Sequence, residues 1–461
     1  MKQKLVEFNE FLENKKIAVI GAGVSNVPLI QILYESELDV TVFDKKELND
    51  MPEVARFLIE NNHIKTSLGE HYLDALQGFD VIFRSPSFLP TNPYLQKEME
   101  RGALITTEVE QVIKLAPCKV IGVTGSKGKT TTTTIIHAIL QGLGYSTYLG
   151  GNIGTPLYSK LNEMKEDDLV VLELSSFQLM DMKVSPHIAV VTNISPDHLD
   201  IHGSYEEYIE AKKYIFLNQG EDDVLVINYD DEIVKEFYKE AKGEVRYFGM
   251  GDIRDSYVLK KDNNIYFNNE LIIDTKNLLL KGSHNYLNIC TALNTIRDYI
   301  HVDNLKLQEI VESIHPVHHR LEFVRELNGV RWYNDSASTT PDKALAGIGA
   351  FDEKIVLIAG GYDKNISYEP LARAIVKKVS KLILFGSTKD KIYHEVMKLP
   401  KGLSSRVQIY VMDTLEEVVE VANKVSESGE VVLFSPASAS FDMFQNAYQR
   451  GDLFKELVNK L

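Results

Sequence analysis

Apolar positions along the chain fall into short runs that restart the order strand, turn, helix three times. The first run, Lys16-Ile17-Ala18-Val19-Ile20, passes through Gly21-Ala22-Gly23 into an apolar-periodic stretch beginning at Pro28. Strands are predicted over 40–43, ending on Asp44, and over 81–83, running into Ser85-Pro86. The second restart is Lys119-Val120-Ile121-Gly122-Val123. It is followed by strands over 169–172, ending on Glu173, and over 188–191, ending at Thr192, then by a helix over 205–218. Between 244 and 274 the alternation is hairpin-like, with Asn263-Asn264 and Asn268-Asn269 as turns. The third restart carries strands over 355–359, 382–385, 407–411 and 431–434. Strands alternating with helices at this spacing predict an α/β protein with parallel sheets. No short repeat and no low-complexity linker interrupts the pattern.

Length turns these restarts into domains. A chain of 461 residues exceeds one ordinary core, and boundaries near 107 and 316 divide it into 1–107, 108–316 and 317–461. The hydrophobic share of 44% and charged share of 25% are those of a globular protein. Apolar runs such as 355–359 are far too short to span a bilayer. The first sixteen residues mix charges of both signs without an apolar signal core, so a cytoplasmic protein with no membrane insertion is expected. Cys118 and Cys290 are the two cysteines, which suits a reducing compartment and inert structural thiols. A formal charge of -16 with no lysine-rich tract argues against a nucleic-acid partner. A monomer is expected.

The second restart holds the chemistry. Strand, glycine turn and helix start surround Thr124-Gly125-Ser126-Lys127-Gly128-Lys129-Thr130. Such a loop aims backbone N–H groups and a helix N-terminus at phosphate oxygens. Lys129 would neutralise the β- and γ-phosphates of ATP, and the Thr130 hydroxyl would ligate Mg²⁺. The spacing departs from the full Walker pattern, because Val123 stands where its first glycine belongs. Glu173, at a strand end in the crevice where parallel sheets bind ligands, is a candidate oxygen ligand for that Mg²⁺. A strand-end glutamate on its own is more often a solvated cap. His198, in Asn193-Ile194-Ser195-Pro196-Asp197-His198-Leu199-Asp200, follows another strand end and could bind a second metal or orient substrate. Lys212 has Tyr208, Ile209, Ile215 and Phe216 at helical spacing and is predicted to face inward. Lys213, with Glu210 on its own face, is predicted to be solvated.

Read in order, these residues resemble the Mur ligase family over nearly the whole chain. The resemblance rests on the phosphate loop, Gly151-Asn152-Ile153-Gly154, Glu173-Leu174-Ser175-Ser176-Phe177-Gln178, Asp197-His198 and Ala211-Lys212. It continues through Gly282-Ser283-His284-Asn285, His319-Arg320, Asn334-Asp335-Ser336 and Ser435-Pro436-Ala437. The family implies three domains: a Rossmann-like N-terminal domain for the UDP-substrate, a central P-loop ATPase α/β domain, and a C-terminal Rossmann-like α/β domain for the incoming amino acid. The branch it resembles implies an ATP-dependent ligase that joins D-glutamate to UDP-N-acetylmuramoyl-L-alanine through an acyl phosphate, in peptidoglycan precursor synthesis.

By the same resemblance, Thr130 and Glu173 hold one Mg²⁺, while His198 and a carbamylated Lys212 hold a second. Asn285, Arg320 and Asp335 contact the nucleotide, the last two from the third domain, which is expected to close on ATP. Val24, Ser25 and Asp44 take the UDP group, and Asn152, Ser175 and Gln178 line the muramoyl-alanine site. Thr339, Lys364 and Ser440 take the amino acid; an exposed turn lysine is the default reading of Lys364 without the resemblance.

Three positions depart from the family's commoner pattern. Ala337 replaces a lysine, Ala447 with Tyr448 beside it replaces an aromatic residue, and Ser85-Pro86-Ser87 replaces Ser-Pro-Gly. The first two bear on the amino-acid pocket and leave open a related ligase that adds L-glutamate or another amino acid. A non-catalytic nucleotide-binding regulator is the alternative from a different class, and intact Lys129, Glu173, His198 and Lys212 count against it.

Overall fold

The computed structural model describes residues 2–461 except Val24 and His198; the side chains of Lys2, Gln3 and Asp200 are also outside the described set. Two sequence-predicted site residues, Val24 and His198, therefore lie outside the described residues. Among the described residues the strands build three sheets, and the chain is α/β throughout. It forms two compact units: 1–261, 266–271 and 287–303 in one, and 262–265, 272–286 and 304–461 in the other.

In the first unit, five parallel strands run in the order Lys65–Leu68, Asp39–Asp44, Lys16–Ile20, Val81–Arg84, Leu104–Thr106. The order reverses between Lys16–Ile20 and Val81–Arg84, so the loops after these two strands open the crevice where such sheets bind ligands. The second sheet is parallel in its centre, with Val224–Asn228, Ile188–Val191, Lys119–Thr124, Leu169–Glu173 and Thr147–Gly151 in that order. Its middle strand, Lys119–Thr124, delivers the phosphate loop between the ends of its two neighbours. These strands are apolar at almost every position because helices cover both faces. Asn268 and Asn269 both adopt positive φ (47° and 71°) between the short strands Ile265–Phe267 and Glu270–Ile273, as a two-residue turn requires.

The helix predicted over 205–218 ends earlier, at Lys213. The chain turns there, with Ile215 N–H donating to the Lys212 carbonyl, which brings Ile215 and Phe216 into the core from a tighter path. Lys213 is not solvated as predicted. It is mostly buried between Glu210 and Glu240, at 2.8 and 2.7 Å.

One continuous apolar core runs beneath the first two sheets, from Leu5 through Val112 to Phe237. Glu108 is buried where the helix Glu108–Leu115 meets the second sheet's domain. Its Oε1 accepts the N–H groups of Leu157 and Tyr158 at 2.8 and 2.7 Å. Burial nonetheless raises its pKa from 4.5 to about 7.

The second unit contains the third sheet, ordered Glu322–Leu327, Val330–Asn334, Val431–Phe434, Ile355–Gly360, Val379–Phe385, Gln408–Val411. All pairs are parallel except the first, a hairpin closed by Asn328-Gly329 with φ of 53° and 75°. Sequence reading missed this hairpin, although Asn-Gly between alternating residues is a strong signal for one. Apolar clusters cover both faces of the sheet.

Glu108 supplies a stability test. Its folded pKa is raised, so its contribution is greatest below about 4.5 and is lost as pH rises through about 7. Glu108→Ala, which strands two buried N–H groups, should cost roughly 1–3 kcal/mol in urea unfolding. Glu108→Gln should gain stability relative to the parent as pH rises from 4.5 to 8; parallel pH profiles would contradict the assignment.

Candidate active site

The loop from Thr124 to Thr130 is built by its neighbours as much as by its own residues. Gly125 (φ 144°) runs so close to the Ile188–Val191 strand end that a Cβ there would collide with the Thr192 hydroxyl. The Thr192 hydroxyl donates to the carbonyls of Lys127 and Thr124, at 2.7 and 3.2 Å. Asn193 clamps Lys127 from both sides, its amide donating to Lys127 O at 2.8 Å and its oxygen accepting Lys127 N–H at 2.9 Å. The Ser126 hydroxyl donates to Ser195 O and meets the Tyr208 hydroxyl, both at 2.9 Å. Gly128 (φ 83°) ends the loop at the start of helix Lys129–Gly142 and provides no side-chain cap. The helix start thus carries no side-chain cap from Gly128, and a helix N-terminus of this kind attracts phosphate.

Two lysines converge on this loop. Lys129 Nζ donates to Gly125 O at 2.7 Å and Ser126 O at 3.2 Å. Lys212, only 1% exposed, donates to Gly125 O at 2.9 Å and lies 4.7 Å from the centre of the Tyr208 ring. The inward position read from helical spacing is therefore the observed one. Burial holds the Lys212 ammonium well below the ordinary lysine value, and Lys129 pushes the same way against the smaller pulls of Asp197 and Glu173. A neutral amine, with a free lone pair, is therefore accessible at this position. Burial also pushes the Tyr208 phenol up to about 12, so it remains a protonated donor-acceptor.

Glu173 ends the strand next to the loop, in register with Val123. Asn152 donates to its Oε1 at 2.8 Å, while Oε2 is buried with no partner. An orphaned, desolvated carboxylate oxygen is costly unless something is to bind it. With the half-buried Thr130 hydroxyl on the next element, this is an all-oxygen donor set that fits a hard divalent cation such as Mg²⁺. No group of three or more His, Cys, Asp or Glu side chains forms a closed metal cage among the described residues. Phosphate oxygens would supply the remaining ligands.

Ser175 and Gln178 cap the short helix Ser176–Leu179 reciprocally, with Ser175 N–H donating to Gln178 Oε1 at 2.9 Å. Asn152 is exposed beside Glu173. In the first domain Asp44 accepts N–H groups from Ala22 (2.8 Å) and Lys46 (2.9 Å), while Asn26 donates to the carbonyls of Ile20 and Gly21. Both residues thus shape the turn that includes half-buried Ser25.

In the second unit, several sequence motifs meet around Asp335. Its carboxylate accepts Leu321 N–H at 3.2 Å and the Ser435 hydroxyl at 2.7 Å, and burial raises its pKa to about 6. His319, Leu321 and Ala437 all hold positive φ (63°, 47° and 57°), a concentration of backbone strain typical of functional loops. Arg320 is half-buried, Thr339 half-buried and Lys364 exposed. Ser440 is buried in the loop after Val431–Phe434, which is bridged to the Lys364 loop through Tyr362 and Ala439. Asn285 donates to Lys281 O at 2.7 Å.

Family models match three stretches of the chain. They are the Mur ligase MurD-like N-terminal domain over 15–107, the Mur ligase middle domain over 123–296, and the Mur ligase glutamate ligase domain over 319–438. The chain belongs to the Mur ligase family. Curated relatives include the UDP-N-acetylmuramoylalanine--D-glutamate ligases of Clostridium botulinum (strain Langeland) and Clostridium perfringens (strain 13), each 44% identical over 100% of both chains. Among solved structures, the UDP-N-acetylmuramate-alanine ligase of Thermotoga maritima shares the fold, with a TM-score of 0.60 at 21% identity, covering 97% of this chain and 100% of its own.

Several residues that build this Mur ligase site escaped the sequence reading. Thr192 and Asn193 flank a noted strand end, and Tyr208 was read only as an apolar neighbour of Lys212. Asn288 stands one turn past Asn285, with Oδ1 facing both Gly128 and the Thr132 hydroxyl. Arg450 is fully buried and spends all five donors on Ser336, Ser438 and Ala439. Its signal was only an arginine on a helix face that is otherwise apolar.

Glu173→Gln separates the two readings of its orphan oxygen. Affinity for ATP with Mg²⁺, measured by calorimetry, should fall at least tenfold, about 1.4 kcal/mol. The melting temperature should not fall, because a buried unpaired charge is removed. Lost stability with unchanged Mg²⁺-ATP affinity would make Glu173 structural.

Proposed function

We propose that this chain joins D-glutamate to UDP-N-acetylmuramoyl-L-alanine at the expense of ATP, in peptidoglycan precursor synthesis. The observation that carries the reading is the 44% identity to D-glutamate ligases across the whole of both chains. It is supported by a phosphate loop whose two lysines and facing carboxylate are all in place.

The site residues take roles as follows. Main-chain N–H groups of 124–130 and Lys129 bind the ATP phosphates, and Asn285, Arg320 and Asp335 carry over to the nucleotide by resemblance. The substrate carboxylate attacks the γ-phosphorus and ADP leaves. The glutamate amine then attacks the acyl carbon, and phosphate departs with one carboxylate oxygen. Phosphorylation is needed because a carboxylate is a poor acyl donor. Lys129 and the loop N–H groups meet the charge that develops on the transferred phosphoryl oxygens. Thr130 and Glu173 would hold one Mg²⁺, and Lys212 with His198 a second; these ions, when bound, supply positive charge to the reacting oxygens.

For Lys212 to serve, its neutral Nζ attacks CO₂ and loses a proton, leaving a carbamate. The depressed proton affinity of this amine favours that step, and the resulting anion answers the charge of Lys129. Val24, Ser25 and Asp44 take the UDP group, and Asn152, Ser175 and Gln178 face the muramoyl-alanine. Thr339, Lys364 and Ser440 receive the glutamate, with Lys364 pairing a carboxylate. The division of labour is 1–107 for the UDP-substrate, 108–316 for ATP and 317–461 for the amino acid. The enzyme acts as a cytoplasmic monomer, a reading supported by two free buried cysteines and by a full set of roles within one copy. No helix among the described residues is long and apolar enough to cross a membrane.

Purified protein with ATP, Mg²⁺ and UDP-N-acetylmuramoyl-L-alanine should release phosphate with D-glutamate. Release with L-glutamate instead would overturn the choice of amino acid, and release with neither would favour the regulator. Lys212→Ala should lower ligation at least a hundredfold, with partial recovery in millimolar formate or acetate; a fully active variant would remove the carbamate from the mechanism.

A further inference from the structure

Arg84 is a buried charge that the mechanism does not use. It ends the strand Val81–Arg84, is 4% exposed, and lies at the switch point of the first sheet. Among the described residues no carboxylate comes within ion-pairing distance, and Glu110 and Asp181 act on it only from farther away. Its guanidinium is spent on main-chain carbonyls instead. Nη2 donates to Met180 O at 2.8 Å and Phe177 O at 3.4 Å, while Nη1 donates to Phe88 O at 3.3 Å and Phe177 O at 3.5 Å. Phe177 lies in the short helix Ser176–Leu179 capped by Ser175 and Gln178, and Met180 is that helix's C-cap. Phe88 closes the turn begun by Ser85, its N–H donating to Ser85 O at 3.0 Å. Ser85 packs against Gly21, where an added Cβ would come 3.1 Å from its own.

One side chain therefore ties the first-domain turn at the switch-point crevice to the helix beside Glu173. That helix is tied in turn to the phosphate loop. The Ser176 hydroxyl meets His202 Nε2 at 2.9 Å, and Phe177 stacks on His202 at 5.2 Å. His202 packs edge-on against Tyr208 at 5.2 Å, and the Tyr208 hydroxyl reaches Ser126. Buried arginine on helix-end carbonyls favours one rigid placement, because each lost donor strands a desolvated group.

We propose that Arg84 is a positioning residue that sets the reacting carboxylate of the UDP-linked substrate against the phosphate loop. The UDP end is fixed at the first-domain turn and the acyl end at the 175–180 helix, so the distance between them depends on the Arg84 link. The inference rests on the ligase reading above. Affinity for UDP alone should be insensitive to Arg84, whereas placement of the longer substrate should not.

The test compares the parent with Arg84→Met and Arg84→Lys by calorimetry and steady-state kinetics. In Arg84→Met, UDP and ATP should bind within twofold of the parent. Affinity for UDP-N-acetylmuramoyl-L-alanine and kcat should each fall at least tenfold, with KM for ATP unchanged. Arg84→Lys should recover part of both losses. Equal losses for UDP, ATP and the full substrate, or no loss in any, would overturn the proposal. A parent that binds the UDP compounds but does not ligate would overturn the ligase reading, while the ratio of UDP to full-substrate affinity still tests Arg84. Should neither variant fold, the unmutated chain carries the test: UDP-N-acetylmuramoyl-L-alanine should slow amide exchange at 87–88 and at 176–180 together and UDP alone should leave 176–180 unchanged, while protection of 176–180 without 87–88, or by UDP alone, would overturn the link.

Discussion

The carbonyl of Gly125 accepts from two lysines at once, Lys129 from its own loop and Lys212 from the helix Tyr205–Lys213. Two ammonium groups do not share one acceptor comfortably, and no carboxylate pairs with Lys212 among the described residues. The surroundings of this point follow from that constraint. Tyr208 lays its ring beside Lys212, Thr124 offers its hydroxyl at 3.5 Å, and Glu173 faces the loop with one oxygen unpartnered. Among the described residues, such a site leaves Lys212 without a carboxylate at pairing distance and Glu173 with an oxygen unpartnered. In the proposed function, a nucleotide phosphate with a divalent cation would satisfy both, which would make the loop, the strand-end carboxylate and the buried lysine one unit.

What the sequence made legible was the part governed by local rules. Strands over 16–20, 119–123 and 431–434, the glycine turn at Gly128 and the inward face of Lys212 follow from periodicity and residue type, and the structure matches them within a residue. The helix ending at Lys213 did not follow, because Ile215 and Phe216 continue the apolar pattern past the point where the backbone turns. The Asn328-Gly329 hairpin was legible and went unread. The residues that hold the loop in shape, Thr192, Asn193, Tyr208 and Asn288, were not legible as such. They act through contacts with residues 65 to 156 positions away, and their types are ordinary for where they stand. Arg84 and Arg450 belong to the same class: each is an arginine spent on carbonyls of a distant loop, a role that composition does not mark.

The third sheet repeats the logic with different materials. Asp335, the Ser435 hydroxyl and the left-handed residues at 319, 321 and 437 hold three loops in strained conformations, and Arg450 satisfies the carbonyls they leave behind. Ala337 and Ala447, the departures from the family's commoner residues, join this frame through their main chains, Ala337 N–H donating to His319 O at 3.0 Å and Ala447 O accepting the Ser336 hydroxyl at 2.7 Å.

The central claim is that a substrate carboxylate is activated as an acyl phosphate on the loop at 124–130. Oxygen transfer tests it most directly. UDP-N-acetylmuramoyl-L-alanine carrying ¹⁸O in its free carboxylate is turned over with ATP and D-glutamate, and the released phosphate is examined by mass spectrometry or ³¹P NMR. The account predicts one labelled oxygen in each phosphate released. Phosphate free of label, with amide product still forming, would contradict it.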